Sequence, residues 1–338
     1  MRGFGLCQGL IAAIFLLAAQ LIAPPARAET KVVVSIGPIH SLAAAVMAGA
    51  GAPQLLVKGS ASEHTYALKP SDTRNLNTAD LIIRVSARLE TFLVKVLAAL
   101  PKTVEVVTLD EIPGLTVLPQ RGGGLFEADH DHDDEGHGHD TAHEHPPATA
   151  AGPTQRHDSH ARHDAVATDP HLWLDVENAK IIVNQLAEVL ARRDPPLADL
   201  YRANAKSVRG RLDLLSLELK QTLQPLAGKP YVVFHDGYQY FEARFGLAAL
   251  ASLTLDPQLQ PGPRRLAEIR AKIKATGALC VFSEPQFEPK LIAPLIEGTG
   301  ARTGTLDGLG AGLEPGPELY FQLMRGLASG LRACLAPG

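Results

Sequence analysis

The sequence predicts an α/β fold of two lobes, each a mainly parallel sheet flanked by helices, joined by one long helix. Short β-branched runs alternate with helical patterns from Lys31, the same alternation returns beyond Pro230, and a single long leucine-rich period lies between them.

In the first alternation the runs KVVVSIG, PQLLVKG, LIIRVS and VEVVTLD are nearly continuous apolar strands, the pattern expected when both faces of a sheet are covered. Candidate helices between them span Ser41 to Ala50, Lys69 to Ala79 and Leu89 to Leu100. Strand, helix, strand in this order implies crossover connections and parallel pairing. After a polar insert, order resumes at DPHLWLD, and Asp175 is placed to cap a helix running through Leu190. Pro195 and Pro196 end that helix and open the next, from Leu197 to Leu226. Here Leu200, Val208, Leu212, Leu215, Leu219, Leu223 and Leu226 recur mostly every three or four residues, which makes a rod of roughly 45 Å at 1.5 Å per residue. Beyond Pro230 the strands YVVFHD, LAALASLT, ALCVFSE and RTGTLD alternate with helices near Tyr238 to Phe245, Pro263 to Ala275, Glu288 to Glu297 and Glu318 to Cys334. The expected divisions are a leader over 1–28, a first lobe over 29–196 with a disordered insert at about 120–167, a linking helix over 197–226 and a second lobe over 227–338.

The leader carries Arg2, an apolar run from Leu10 to Ala23 and the small-residue site Ala26-Arg27-Ala28. This reads as a secretory signal cut after Ala28, and the run is too short to be read first as a membrane span. About 310 residues would remain, ample for two lobes. Losing Arg2 and Arg27 takes the formal charge from −4 to about −6, so there is no basic balance of the kind nucleic acid requires. Cys7 would leave with the signal. Cys280 and Cys334 remain, and an even count in an oxidising compartment reads as a disulfide, with free thiols or metal ligation as the other readings. A bridge over a loop of about 55 residues would stabilise by at most roughly 4 kcal/mol.

Nine of the thirteen histidines fall between Ala128 and Asp164: His130, His132, His137, His139, His143, His145, His157, His160 and His163. Imidazoles interleaved with carboxylates favour a transition metal, and a segment with almost no large apolar residues has nothing to bury, so weak accessory metal binding is expected there. Four histidines lie elsewhere. His64, His171 and His235 fall at or beyond the carboxyl ends of strands, where ligands collect in open α/β sheets. Each has an acidic residue close by in the sequence. His40, in SIGPIHSLAA, has none and reads as structural, near the start of the first helix.

EHTYALKPSD, DPHLWLD, FHDGYQYFEARFGL, CVFSEPQF and GTLDGLG, in this order and spacing, together with the cysteine pair, resemble the zinc-specific substrate-binding proteins of bacterial ABC importers, the ZnuA family. The resemblance covers essentially the whole mature chain. It implies two α/β lobes joined by a long helix, metal in the cleft between them, and an acidic His-rich loop in the first lobe. Carried over, it implies metal ligands at His64, His171 and His235, with Glu63 or Asp307 as candidates for the fourth position and a bridge between Cys280 and Cys334. Gly308 stands where many relatives have proline, which bears on the reach of Asp307. Three neutral imidazoles and one oxygen form a tetrahedral set that suits Zn²⁺ better than the oxygen-rich shells of Mn²⁺ or Mg²⁺. Asp236, beside His235, is expected either to support that ligand or to cap the strand end.

The function this implies is a non-catalytic periplasmic receptor that captures Zn²⁺ and delivers it to an inner-membrane permease driven by a cytoplasmic ATPase. No Walker sequence is present to supply energy within the chain. A periplasmic zinc chaperone is a further candidate partner, and the chain is expected to be a monomer. The alternatives are a receptor for manganese or another divalent metal and, from a different class, a secreted zinc hydrolase. Against the hydrolase, the chain lacks HExxH.

Overall fold

The computed structural model describes residues 29–122, 126, 167–255, 257, 261–287 and 291–336. The expected signal and the nine insert histidines lie outside the described residues. In the first lobe, β1 (Val32–Val34), β2 (Gln54–Leu55), β3 (Leu81–Arg84) and β4 (Glu105–Thr108) form a parallel sheet in the order β2-β1-β3-β4. Its connections carry α1 (Gly37–Val46), α2 (Pro70–Asn77) and α3 (Thr91–Ala98). Two long helices follow, α4 (Val176–Arg193) and α5 (Ala198–Leu223). The second lobe repeats the strand order as β6-β5-β7-β8, all parallel, from β5 (Tyr231–His235), β6 (Ala251–Thr254), β7 (Cys280–Ser283) and β8 (Arg302–Thr305). Between and after them run α6 (Gln239–Phe245), α7 (Pro263–Thr276), α8 (Ile292–Ile296) and α9 (Leu319–Leu335).

The apolar strands are continuous because both faces are covered. Val32 and Val34 point into one core while Val33 points into another, and Tyr231 and Val233 alternate in the same way with Val232 and Phe234. The inner faces of both sheets share a single core with α4, α5 and α9, in which Leu212, Leu215, Leu219 and Leu223 of α5 are buried. Each outer face has a separate smaller cluster. The Cys280–Cys334 disulfide ties β7 to the end of α9. Among the described residues no helix is long and apolar enough to cross a membrane.

Local differences from the sequence expectation have simple causes. Helix α1 begins at Gly37, four residues before Ser41, because Pro38 sits in its first turn, where the missing N–H costs nothing. It stops at Val46, ahead of a turn in which Gly49 takes a positive φ of 80°. The linking helix is shorter than expected: Pro225 converts Gln224–Leu226 into a 3₁₀ turn, leaving 26 α-helical residues, about 39 Å at 1.5 Å each.

In each sheet the chain steps to one side from β1 to β2, then crosses back over β1 to reach β3. The crevice at such a reversal, at the carboxyl ends of the strands, is where ligands gather in open α/β sheets. In the second lobe that crevice lies between His235, the last residue of β5, and Glu284, the residue after β7.

Candidate metal centre

His235 is fixed at the end of β5 by one carboxylate. Glu284 Oε1 accepts from the His235 main-chain N–H at 3.2 Å and from Nδ1 at 2.6 Å. His171 repeats the arrangement on the first lobe, where Asp169 Oδ1 accepts from its main-chain N–H at 3.0 Å and from Nδ1 at 2.7 Å. Occupying Nδ1 selects the tautomer and leaves Nε2 as the donor for a metal. The two Nε2 atoms face each other at 3.1 Å. That is close to the roughly 3.3 Å edge of a tetrahedron with Zn–N bonds of about 2.0–2.1 Å.

His64 completes the cluster from the loop between β2 and α2. Its ring centroid lies 5.5 Å from that of His171 and 5.7 Å from that of His235. One nitrogen from each of the three rings falls within 4.8 Å of the others. His171 and His235 are buried, and the His64 side chain is 13% exposed, so the cluster opens on the His64 side. Burial, reinforced by the neighbouring His171 and His235, pushes the His64 imidazole down to about 2, which holds it in the neutral form a metal needs. Burial also acts to lower His235, but Glu284 against its ring, with Glu63 and Asp236 nearby, outweighs it and raises this imidazole to about 9. Gly237 is required by space: a Cβ there would sit 2.3 Å from His235 Nε2.

The two candidates for a fourth donor are placed differently. Glu63 is buried, with Oε1 3.5 Å from His64 Nε2, and burial raises its carboxyl against the opposing effect of His171 and His235. Asp307 uses both oxygens, accepting from the N–H groups of Leu309, Gly310 and Ala311 in its own loop and from Gln286 Nε2 in the loop after β7. Gly308 contributes its carbonyl, which accepts from Trp173 Nε1 at 2.9 Å and so joins the lobes. His40 lies apart from the cluster. It is buried within α1, and its Nε2 bonds the Pro53 carbonyl at 2.9 Å. Asp236 neither bonds His235 nor caps the strand with its side chain; it pairs with Arg121.

The description "Zinc-uptake complex component A periplasmic", that of ZnuA, matches residues 32–334. The chain belongs to the ZnuA family. A ZnuA relative from Brucella suis biovar 1 (strain 1330), named "High-affinity zinc uptake system protein ZnuA", is 47% identical over 306 residues, which are 90% of this chain and 91% of that protein. A crystal structure of ZnuA superposes with a TM-score of 0.71 at 22% identity, covering 91% of this chain and all of that one. The SBP FpvC from Pseudomonas aeruginosa, in complex with Mn²⁺, superposes equally well, with a TM-score of 0.71 at 19% identity over 92% of this chain and all of that one. The fold is therefore shared with a protein whose structure holds Mn²⁺.

Sequence reasoning did not assign Asp169 and Glu284 their place behind the ligands, nor Arg121 any role. The first two carried a signal: Asp169 lies two residues before His171, and Glu284 stands at the carboxyl end of a strand adjacent to that of His235.

Proposed function

We propose that this chain is a zinc receptor, which binds one Zn²⁺ tightly through Nε2 of His171, Nε2 of His235 and a ring nitrogen of His64. Glu63 supplies the fourth, oxygen donor. The carrying observation is the paired construction of His171 and His235, each clasped at Nδ1 and at its main-chain N–H by its own carboxylate so that the second ring nitrogens converge. Carboxylate–histidine pairs of this kind orient and strengthen zinc ligands. The family and its ZnuA relatives, named as components of zinc uptake, support the same reading.

Residues 1–28 direct export and are removed. The receptor, a monomer of two lobes over 29–196 and 227–338 with its linking helix between, hands zinc to an inner-membrane ABC permease with a cytoplasmic ATPase. The insert histidines hold further metal weakly, and a periplasmic zinc chaperone exchanges metal with them. The protein acts as a receptor and not as an enzyme: with Glu63 as the fourth donor the ion keeps no open position at which water or a substrate could be activated.

Native mass spectrometry of protein purified without an affinity tag tests this. One zinc per chain should survive desalting in the wild type and be absent from His64→Ala. Retention of manganese in preference to zinc would reject the metal assignment, and turnover of ester or peptide substrates lost on His235→Ala would reject the receptor.

A further inference from the structure

We infer that Arg121 determines metal selectivity by holding the carboxylate of Asp236 away from the histidine cluster. Asp236 follows His235 directly, and it is among the residues that line a cavity of about 180 Å³ together with His64 and His171. A carboxylate beside the cluster, once released from its partner, would be an oxygen donor to a metal there. Oxygen donors and a higher coordination number favour Mn²⁺ and Mg²⁺, whereas three imidazoles and a single oxygen favour Zn²⁺. A second carboxylate in the shell would therefore work against zinc selectivity.

Arg121 prevents this by geometry. Its Nε donates to Asp236 Oδ1 at 2.9 Å and Oδ2 at 3.1 Å, and Nη2 also donates to Oδ1, so the guanidinium grips both oxygens. The far side of the guanidinium is itself held, with Nη1 donating to Glu242 Oε2 at 2.7 Å. Glu242 in turn is fixed through Oε1, which accepts from Tyr231 OH at 2.7 Å and from the Ala249 N–H at 3.1 Å. The Phe126 ring lies 4.3 Å from the guanidinium carbon. All three charged side chains are largely buried, and a desolvated, forked Arg–carboxylate pair resists exchange far more than a surface pair does. Arg121 comes from the first lobe and Asp236 from the second, so the same grip also fastens the lobes beside the cluster.

This rests on the three-histidine reading of the site, and the test separates the two. Competition titrations with Zn²⁺ and Mn²⁺ alone are run on the wild type, Arg121→Gln, Arg121→Lys, Asp236→Asn, the double variant Arg121→Gln/Asp236→Asn, and His171→Ala. Releasing Asp236 in Arg121→Gln should lower the zinc-to-manganese affinity ratio about tenfold. Arg121→Lys, which keeps the charge but loses the fork, should fall between. The double variant should return to the wild-type ratio, and Asp236→Asn alone should never leave it. With Co²⁺ as the probe, the visible bands of a four-coordinate site should weaken in Arg121→Gln as the coordination number rises, and recover in the double variant. An unchanged ratio in the folded Arg121 variants would overturn the inference. So would a changed ratio in Asp236→Asn, or one that persists in the double variant, since either would mean general loosening rather than a freed donor. Failure of the site reading itself would appear elsewhere, as tight zinc binding by His171→Ala.

Discussion

The two sheets share one strand order, and each has a buried glutamate spanning its first and third strands at the carboxyl edge. In the first lobe that residue is Glu90. Its Oε1 accepts from Ser35 Oγ at 2.5 Å and the Val85 N–H at 2.9 Å, and its Oε2 accepts from the Ser86 N–H at 2.8 Å. In the second lobe it is Glu284, bonded to the main chain and ring of His235. Glu90 thus closes its crevice, because the groups that fill its oxygens are one hydroxyl and two main-chain amides, with no imidazole among them to present a second nitrogen. Glu284 grips only one edge of an imidazole and leaves the other presented. A shared topology fixes where a ligand can gather, and the side chain at the end of the first strand decides whether one does.

Substitutions at the two strand ends should break this comparison most sharply. His235→Ala should weaken zinc binding roughly a hundred- to a thousandfold, about one ligand's share of the 10–16 kcal/mol apparent for structural zinc. Ser35→Ala, the counterpart in the first lobe, should leave zinc affinity unchanged and cost about 1 kcal/mol of folding stability, the value of a hydrogen bond. Chelator competition and chemical denaturation read the two separately. A large zinc effect from Ser35→Ala would show that the first crevice is not closed.

The carboxylates behind the rings should come next. Glu284→Gln and Asp169→Asn each keep the shape but lose the charge that orients an imidazole and makes it more basic, so affinity should fall about 10- to 100-fold. Glu90→Gln should leave zinc affinity within experimental error. Equal effects from all three variants would mean that loss of packing, rather than support of the ligands, is being measured.

The strands, the two-lobe division and the long helix were legible because each rests on local periodicity, which one sequence carries. His235 at the end of β5 and His64 in the loop after β2 follow from the strand pattern, but His171 follows no strand: it stands at the start of the 3₁₀ turn Leu172–Leu174 ahead of α4, a place that strand periodicity does not give. What could not be read was pairing across the fold. Glu284 meets His235 from 49 residues away and Arg121 meets Asp236 from 115, and no spacing rule connects such distances until β5 and β7 are placed side by side. Asp307 attracted attention as a carboxylate in a recognisable motif. Its oxygens are spent on backbone N–H groups that exist only once the loop after β8 has turned. The histidine-dense insert, the loudest compositional signal, lies outside the described residues, and the cluster found among those residues is built from three histidines that composition alone does not single out.

The last expected effect distinguishes the crevices by pH and leaves zinc affinity untouched. Burial raises the Glu90 carboxyl from 4.5 to about 7, against the opposing influence of Ser35, Val85 and Ser86. Since the folded value lies above the unfolded one, the stabilisation from this group is complete below about pH 4.5 and is lost as pH rises through about 7, amounting to about 3 kcal/mol. The proton has a place to go: the Ser35 hydroxyl can turn to accept from the protonated carboxyl while the two N–H groups keep their acceptors. Glu90→Gln cannot titrate. Denaturant unfolding of the zinc-free protein should therefore show the stability difference between wild type and Glu90→Gln shrinking from pH 5 to pH 8. A difference that stays constant across that range would mean that the three donors hold Glu90 ionised throughout, and that the closed crevice carries a permanent buried charge.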